Sequence, residues 1–227
     1  MKKIKNLIDD LCFQFLCPLC VRCGSFFVKA SFYCENCENN FLYQKIEHSK
    51  RLLTTDKKNY VVHSIISWPP YESDSLSEIV YQLKNSFSYK SWFYYSQIFS
   101  KLVSIDVSKS KKIGIIPVPS RKSKKSYHTG YFSRCMSTFY KSEILDCLVG
   151  QSSNKDQKML NLNERQAVEV RFNEDFTSLI TSYDHLIILD DLITSGSTIN
   201  ACVSVLNNHI SNDCKIDILA LFSREKI

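Results

Sequence analysis

The stretch from Leu186 to Thr198 constrains the fold more than any other part of this 227-residue chain. It begins with four apolar residues in a row, which is typical of a parallel strand that is buried on both faces. Asp190 and Asp191 follow, then a loop of small hydroxyl residues around Gly196, and then a periodic apolar segment that predicts a helix. Because ligands of open α/β sheets bind at the carboxyl ends of the strands, this stretch predicts a ligand site.

The loop after the acidic pair has the composition of a phosphate-binding loop. It leads into a helix N-terminus, where free backbone N–H groups favour an anion, and its members are Thr194, Ser195, Gly196, Ser197 and Thr198. The glycine permits the positive φ that such a loop usually needs. The carboxylates of Asp190 and Asp191 would repel a phosphate but accept hydrogen bonds from ribose hydroxyls, so the stretch fits a 5-phosphorylated ribose. The alternative is structural: the acidic pair closes a strand, and Ser197 or Thr198 caps the helix.

Two pairs of cysteines near the N-terminus have the spacing of a metal site. Cys17 and Cys20 form one C-x-x-C pair, and Cys34 and Cys37 form a second pair further along the chain. Two residues between cysteines let both sulfurs face one tetrahedral ion, so these four residues predict a structural zinc site with four cysteine ligands. Cys23 follows Cys20 at the same spacing, which makes these two residues an alternative pair. Disulfides are the rival interpretation, but the chain shows no secretory signal pattern.

The rest of the chain alternates between predicted strands and predicted helices. Strands are expected near residues 61–68, 113–118, 145–149, 185–189 and 216–222, and helices near 75–87, 91–103, 131–141, 158–168 and 198–209. Such alternation implies an α/β fold with a mainly parallel sheet flanked by helices. The polar segment 50–59 is interpreted as a linker, or as a helix end followed by one. We expect two domains, an N-terminal helix with a small four-cysteine zinc module at 1–57 and the α/β domain at 58–227.

A basic run surrounds the strand predicted at 113–118. Between Ser108 and Thr129 there are seven Lys or Arg residues and no Asp or Glu, and the last four of them lie in the loop after the strand. Because this loop leaves the carboxyl end of the strand, we expect it beside the phosphate loop, where it suits a polyanion such as nucleic acid. Its candidate residues are Ser120, Arg121, Lys122, Lys124 and Lys125. The alternative is a solvated loop without a ligand.

Aromatic residues between the two cysteine pairs offer a surface on which bases could stack. Phe26, Phe27, Phe32 and Tyr33 lie there together with Lys29, and aromatic rings bind single-stranded nucleic acid by stacking. Packing around the metal is the equal alternative. No stretch reaches the roughly 18 apolar residues that a bilayer span needs. Together with the missing signal pattern, this favours a cytoplasmic protein, with the inner face of the membrane as an alternative location.

The acidic pair and the hydroxyl loop resemble the PRPP (phosphoribosyl pyrophosphate) motif of type I phosphoribosyltransferases. With paired C-x-x-C elements ahead of this motif, the chain resembles the ComF (competence protein F) family over about residues 17–224. Further segments that resemble the family are 79–84, 115–121 and 130–132, and the spaced residues Gln157, Leu160, Arg165 and Phe172.

The resemblance implies a type I phosphoribosyltransferase-like fold and a role for each candidate. Asp190 and Asp191 would hold the ribose diol, residues 194–198 the 5′-phosphate, and the loop at 120–125 the pyrophosphate or DNA. It implies a protein that handles incoming single-stranded DNA in natural transformation, together with DNA-uptake or recombination proteins. One alternative is a phosphoribosyltransferase that uses PRPP and Mg²⁺ on an unknown acceptor, although no residue stands out as catalytic. Another is a PRPP sensor that does no chemistry.

Overall fold

The computed structural model of the chain describes residues 19–55, 58–69, 74–85, 89–108, 110–119, 128–151 and 169–224. The described helices are α1 (Glu35–Cys37), α2 (Tyr43–Lys45), α3 (Asp74–Asn85), α4 (Tyr89–Leu102), α5 (His128–Tyr140), α6 (Thr177–Ile180) and α7 (Ser197–Leu206), with a π-helical turn at Glu38–Leu42 and a 3₁₀ turn at Glu174–Phe176. The described strands are β1 (Ile46–Thr54), β2 (Asn59–Trp68), β3 (Ile113–Pro117), β4 (Glu143–Ile144), β5 (Leu148–Gln151), β6 (Glu169–Phe172), β7 (His185–Ile193) and β8 (Lys215–Arg224). No helix within these ranges has the length and apolar content needed to cross a bilayer.

Six of the strands form one sheet in the order β1-β2-β8-β7-β3-β4, and β5 pairs with β6 in a second, two-stranded sheet. β1 runs antiparallel to β2, whereas every other neighbouring pair in the six-stranded sheet is parallel. The predicted α/β fold with a mainly parallel sheet flanked by helices is therefore confirmed. The apolar run at residues 186–189 lies in β7 near the centre of this sheet and is fully buried, as expected of a strand covered on both faces.

Two clusters of apolar side chains cover the two faces of the sheet. Successive strand residues point to opposite faces, and accordingly Ile187 packs with α3, α4 and α5, while Ile188 packs with α7. Phe32, Tyr33 and Leu42 belong to the first cluster. The segment of residues 19–45, which we call the cysteine module, thus shares a continuous core with the face of the sheet that α3, α4 and α5 cover.

Polar contacts also hold the cysteine module against α4. The Tyr95 hydroxyl donates to the Ser31 carbonyl oxygen at 2.8 Å, and the Tyr94 hydroxyl donates to the Glu38 carboxylate at 2.9 Å. Glu38 is buried, and its charge is paired with the Lys29 ammonium at 3.0 Å. A buried carboxylate that loses its partners is costly, so this network fixes how the module is seated on the helix.

Most of the predicted elements lie within a few residues of their expected positions. The strand predicted at 145–149 is instead divided into β4 and β5, because the chain leaves one sheet and joins the other there. The Leu145 N–H still donates to the carbonyl oxygen of Ile115 in β3, whereas the Cys147 carbonyl oxygen already accepts from the Asn173 N–H next to β6. The helix predicted at 158–168 lies outside the described residues.

The linker interpretation of residues 50–59 is wrong for its first half, since residues 50–54 belong to β1. This strand pairs with β2 from Ile46↔Ile66 to Thr54↔Asn59. It is polar because an edge strand has one unpaired side and much solvent contact, so it lacks the apolar pattern that identifies buried strands. β1 lies on the N-terminal side of the expected domain division between residues 57 and 58, and that division stays a prediction.

Candidate functional site

The acidic pair lies where β7 extends beyond its neighbour β3. Pairing with β3 ends at Leu189↔Pro117, while pairing with β8 continues to Ile193↔Ser223. The expectation that β7 ends at Leu189 is therefore wrong, because β8 is long enough to continue the ladder. Asp190 and Asp191 are strand residues, but on the β3 side the sheet edge opens directly after Leu189.

The two carboxylates interact with each other and with one cation. The Lys84 ammonium of α3 lies 3.2 Å from Oδ2 of the buried Asp191. Asp190 Oδ1 accepts a hydrogen bond from the Asp191 N–H at 2.8 Å. Desolvation, and then the negative charge of Asp191, raise the pKa of Asp190 well above its usual range. The pair thus favours one protonated carboxyl, with the lysine beside the other carboxylate.

The loop from Thr194 to Gly196 leads from β7 into α7 without a side-chain cap. Gly196 occupies the N-cap position with φ 81°, so the predicted left-handed glycine is confirmed. The first intrahelical bond runs from the Asn200 N–H to the Gly196 carbonyl oxygen at 2.9 Å. Neither Ser197 nor Thr198 is the N-cap residue, so helix capping by one of them, the structural alternative, is not found. The first N–H groups of a helix have no intrahelical acceptor, and here the Ser197 N–H donates to Ser195 Oγ.

Hydroxyl groups surround this helix end. Ser195 Oγ lies 3.0 Å from Ser197 Oγ and accepts from the Ser197 N–H at 3.3 Å. Thr194 and Ser195 are exposed, whereas Gly196 is buried. All seven residues predicted for the phosphate and ribose site, 190, 191 and 194–198, are therefore together at the carboxyl end of β7.

Two residues of β1 that sequence reasoning missed also reach this loop. The Arg51 guanidinium donates from Nη1 to the Thr194 carbonyl oxygen at 2.9 Å. Leu53 lies against Gly196, where an added Cβ would come within 2.7 Å of Leu53 Cδ1. No local pattern could have revealed these contacts, since they join parts of the chain more than a hundred residues apart and lie in a segment predicted as linker.

The basic loop is described only at its beginning. β3 ends at Pro117, and the Val118 N–H donates to the Leu189 carbonyl oxygen at 2.8 Å, directly before the acidic pair. Ser120, Arg121, Lys122, Lys124 and Lys125 lie outside the described residues. Their role as a pyrophosphate or DNA loop stays a prediction, and the chain enters the loop at the expected edge of the sheet.

A cluster of four cysteine sulfurs forms the second candidate site. Their Sγ atoms lie within 4.8 Å of one another, and the residues are Cys20, Cys23, Cys34 and Cys37. Cys23 Sγ and Cys34 Sγ are 3.7 Å apart, close to the roughly 3.8 Å that tetrahedral Zn–S bonds require. The cluster could hold a metal ion such as zinc. Three of the four predicted ligands are in it, and the alternative residue Cys23 completes it. Cys17 lies outside the described residues.

The local backbone explains why these four thiols converge. The Gly24 N–H donates to the Cys20 carbonyl oxygen at 2.9 Å, and Gly24 takes φ 71°, which closes a tight turn around Cys20 and Cys23. Cys34 is the N-cap residue of α1, which contains Cys37. Burial raises the pKa of Cys37 to about 12, whereas hydrogen bonds from Ser25 lower the pKa of Cys23 to about 6. The turn and the helix start thus present one cysteine pair each.

The aromatic residues between the cysteine pairs divide into two groups. Phe26 and Phe27 are 67% and 93% exposed, so they remain available for stacking. Phe32 and Tyr33 are fully buried in the core, which contradicts the expectation of an exposed platform for these two rings. They are buried because the module packs on α4 and needs its own apolar contacts there.

The sequence was compared with protein-family profiles and with curated protein sequences. No protein-family profile and no curated protein sequence matches the chain. The likeness to the ComF family therefore stays a prediction from the residues quoted above. Because a fold alone does not determine an activity, function has to follow from the geometry of the site.

Proposed function

We propose that this chain is a ComF-like protein that binds a 5-phosphorylated ribose at the carboxyl edge of β7 and handles single-stranded DNA. The observation that carries the proposal is the N-terminus of α7, whose N-cap residue Gly196 has no side chain to cap it, directly beside the acidic pair and within residues 190–198. Helix N-termini favour anions, and carboxylates accept hydrogen bonds from hydroxyls. The segment therefore offers one half of a site to a phosphate and the other half to a sugar.

The charges around the segment support this division. Lys84 lies beside Asp191 on the acidic half, and Arg51 lies beside Thr194 on the phosphate half. The protonated state favoured by Asp190 further reduces the negative charge near the loop. A dianionic phosphate can therefore approach residues 194–198 without meeting two full carboxylate charges.

Single-stranded DNA is the partner that best combines this site with the basic loop. A 5′-terminal phosphate presents the same group to residues 194–198 as PRPP does. The loop at 120–125, with four cations in six residues, is predicted to leave the sheet beside it and would contact further backbone phosphates. Phe26 and Phe27 are exposed rings on which bases can stack.

Fluorescence anisotropy with a single-stranded oligonucleotide at increasing salt tests the DNA proposal. If four loop cations contact phosphates, the slope of log K against log [salt] is about −2.8, or about a 50-fold loss between 50 and 200 mM salt. The double variant Lys124→Gln/Lys125→Gln should reduce that slope by about 1.4. The matched variant Lys50→Gln/Lys101→Gln removes two cations from other surfaces and should leave it unchanged. Absence of binding at low salt would refute the DNA proposal.

A second candidate function, phosphoribosyl transfer, is favoured by the acidic pair itself. Deoxyribose lacks the 2′-hydroxyl, so a pair of carboxylates suits the ribose diol of PRPP better than it suits DNA. Carboxylate and hydroxyl oxygens are ligands that Mg²⁺ prefers, and Mg²⁺ would neutralise the leaving pyrophosphate. An acceptor would form a bond to the anomeric carbon as the bond to pyrophosphate breaks. Residues 194–198 would hold the 5′-phosphate in place meanwhile.

Release of pyrophosphate from PRPP and Mg²⁺, assayed with a panel of nucleobases, tests the second candidate. A phosphoribosyltransferase should release pyrophosphate with at least one base, and the variant Asp191→Asn should lower that rate at least about tenfold, as expected from one lost charge-assisted hydrogen bond. PRPP binding without turnover on any base would contradict the enzyme and leave a PRPP sensor.

For the cysteine cluster, we infer a structural zinc ion. Four sulfur ligands in a closed set, with no place for a substrate, are typical of structural rather than catalytic zinc. Such an ion would stabilise a module of fewer than thirty described residues, which is too short to fold by apolar burial alone.

A further inference from the structure

β1 contacts the phosphate loop through two side chains on one face. Arg51 donates to the Thr194 carbonyl oxygen, and Leu53 covers Gly196. Residues two apart in a strand point to the same side, so one face of β1 packs against the loop at Thr194 and Gly196. A single long side chain that happens to reach a carbonyl group would not produce the second contact.

The position of β1 is fixed by the sheet rather than by the loop. Arg51 pairs with Val62 and Leu53 pairs with Tyr60 in the ladder to β2. The Tyr60 hydroxyl in turn exchanges hydrogen bonds with the Asn207 side chain at the C-terminus of α7. The ladder is unbroken from Ser49↔Ser64 to Thr54↔Asn59, and Leu53 is buried against the core on this side of the strand. The guanidinium is therefore presented to the loop by a rigid element.

The positive charge of Arg51 has no carboxylate partner in the described part of the protein. Its hydrogen bond to the Thr194 carbonyl oxygen occupies one of five N–H donors. Arginine stays protonated at any physiological pH. The acidic pair has a different cation, Lys84, so Arg51 is not needed to neutralise it.

We propose that Arg51 is a ligand-binding residue that donates to the 5′-phosphate seated on residues 194–198. This inference rests on the proposed phosphate site and adds to it a cation from another element. The planar guanidinium forms paired hydrogen bonds with phosphate oxygens, and the Thr194 carbonyl oxygen holds the group in position beside the loop. Because β1 directly follows α2, the strand that delivers this residue begins at the cysteine module.

Calorimetric titration with ribose 5-phosphate tests the role of Arg51, because this ligand carries the phosphate but no pyrophosphate. The variant Arg51→Gln should weaken binding about ten- to hundredfold, as expected from losing a charge-assisted hydrogen bond. Arg51→Lys keeps the charge but lacks the planar guanidinium that donates two parallel hydrogen bonds, so it should recover part of the lost affinity. The control Lys50→Gln removes the same charge from the adjacent, exposed residue of β1 and should bind as the wild type does.

The outcomes separate this inference from the proposed function. Wild-type affinity in Arg51→Gln, with binding by the wild type intact, would overturn the role of Arg51 and leave the phosphate loop standing. Absence of ribose 5-phosphate and PRPP binding in the wild type would overturn both. Equal losses in Arg51→Gln and Lys50→Gln would show a general charge effect and also contradict the role. Thermal unfolding of each variant checks that the fold is unchanged.

Discussion

Replacing Asp190 and Asp191 together by Asn is expected to abolish measurable binding of PRPP and of ribose 5-phosphate in calorimetric titrations. The reason is that the ribose hydroxyls would lose two acceptors, the charged carboxylate of Asp191 and the neutral carboxyl of Asp190. A hydrogen bond to a charged group contributes about 1.5–3 kcal/mol and one to a neutral group about 0.5–1.5 kcal/mol, so the loss of both lowers the affinity about thirty- to two-thousandfold. The amide side chains have the same shape as the carboxylates, and the change therefore removes charge without creating a cavity.

The two single variants are expected to differ. Asp190 favours its protonated form, since desolvation and its neighbour raise its pKa, whereas Asp191 lies beside the Lys84 ammonium. Asparagine resembles a protonated carboxyl, so Asp190→Asn should weaken binding less than Asp191→Asn does. The control is Asp213→Asn, an exposed carboxylate just before β8, at the opposite end of the sheet. Equal affinities for all three single variants would contradict the site.

In Asp190→Asn, loss of stability cannot explain a loss of binding, because this substitution is expected to stabilise the fold at neutral pH. Asp190 keeps its proton to higher pH in the folded chain than in the unfolded chain. It therefore stabilises the fold below its unfolded pKa of about 4, and this contribution is lost as the pH rises through the folded pKa. Asp190→Asn should remove this pH dependence and raise the melting temperature at neutral pH. Thermal unfolding of the wild type and of Asp190→Asn at several pH values measures both the pH dependence and the difference in melting temperature.

The residues of the candidate phosphate and ribose site could be placed together from the sequence because they are contiguous. A buried strand, two carboxylates, a glycine loop and a helix follow one another at residues 186–206, and each has a local signature. The left-handed conformation of Gly196 follows from the same local pattern. The length of β7 does not, since its last residues are held in the sheet by β8 rather than by their own apolar character.

Arg51, Lys84 and Cys23 show what local patterns leave undecided. The contacts of Arg51 with Thr194 and of Lys84 with Asp191 depend on how distant strands and helices are placed. Cys17 and Cys23 are each separated from Cys20 by two residues, so spacing alone could not choose between them. Gly24 is the local signal that favours Cys23, because a turn around Cys20 and Cys23 needs a residue with positive φ directly after the second cysteine.

Removing the candidate metal ligand Cys23 is expected to have the largest effect on the stability of the fold. Structural zinc contributes about 10–16 kcal/mol of apparent binding free energy, and that energy is also folding energy. The variant Cys23→Ser should lose one zinc ion per chain in elemental analysis and unfold the cysteine module. Because Phe32 and Tyr33 of this module are part of the core that α4 shares, the melting temperature of the whole chain should fall as well.

The variant Cys17→Ser is the matched control, since Cys17 has the same spacing to Cys20 as Cys23 has. If the described cluster is the metal site, Cys17→Ser should retain one zinc ion and the wild-type melting temperature. The reverse result, zinc lost in Cys17→Ser and kept in Cys23→Ser, would show that the pair at residues 17 and 20 is the ligand pair. A wild-type chain without zinc would overturn the metal site altogether.

Zinc loss should also weaken ligand binding at the proposed phosphate loop, because β1 begins directly after the helical segment that contains Cys37. Unfolding of the module would release the start of this strand, and Arg51 would be less firmly held against Thr194. We therefore expect Cys23→Ser to weaken ribose 5-phosphate binding by no more than Arg51→Gln does, since the ladder of β1 with β2 remains. A larger loss in Cys23→Ser would mean that the module holds residues 194–198 through contacts other than Arg51.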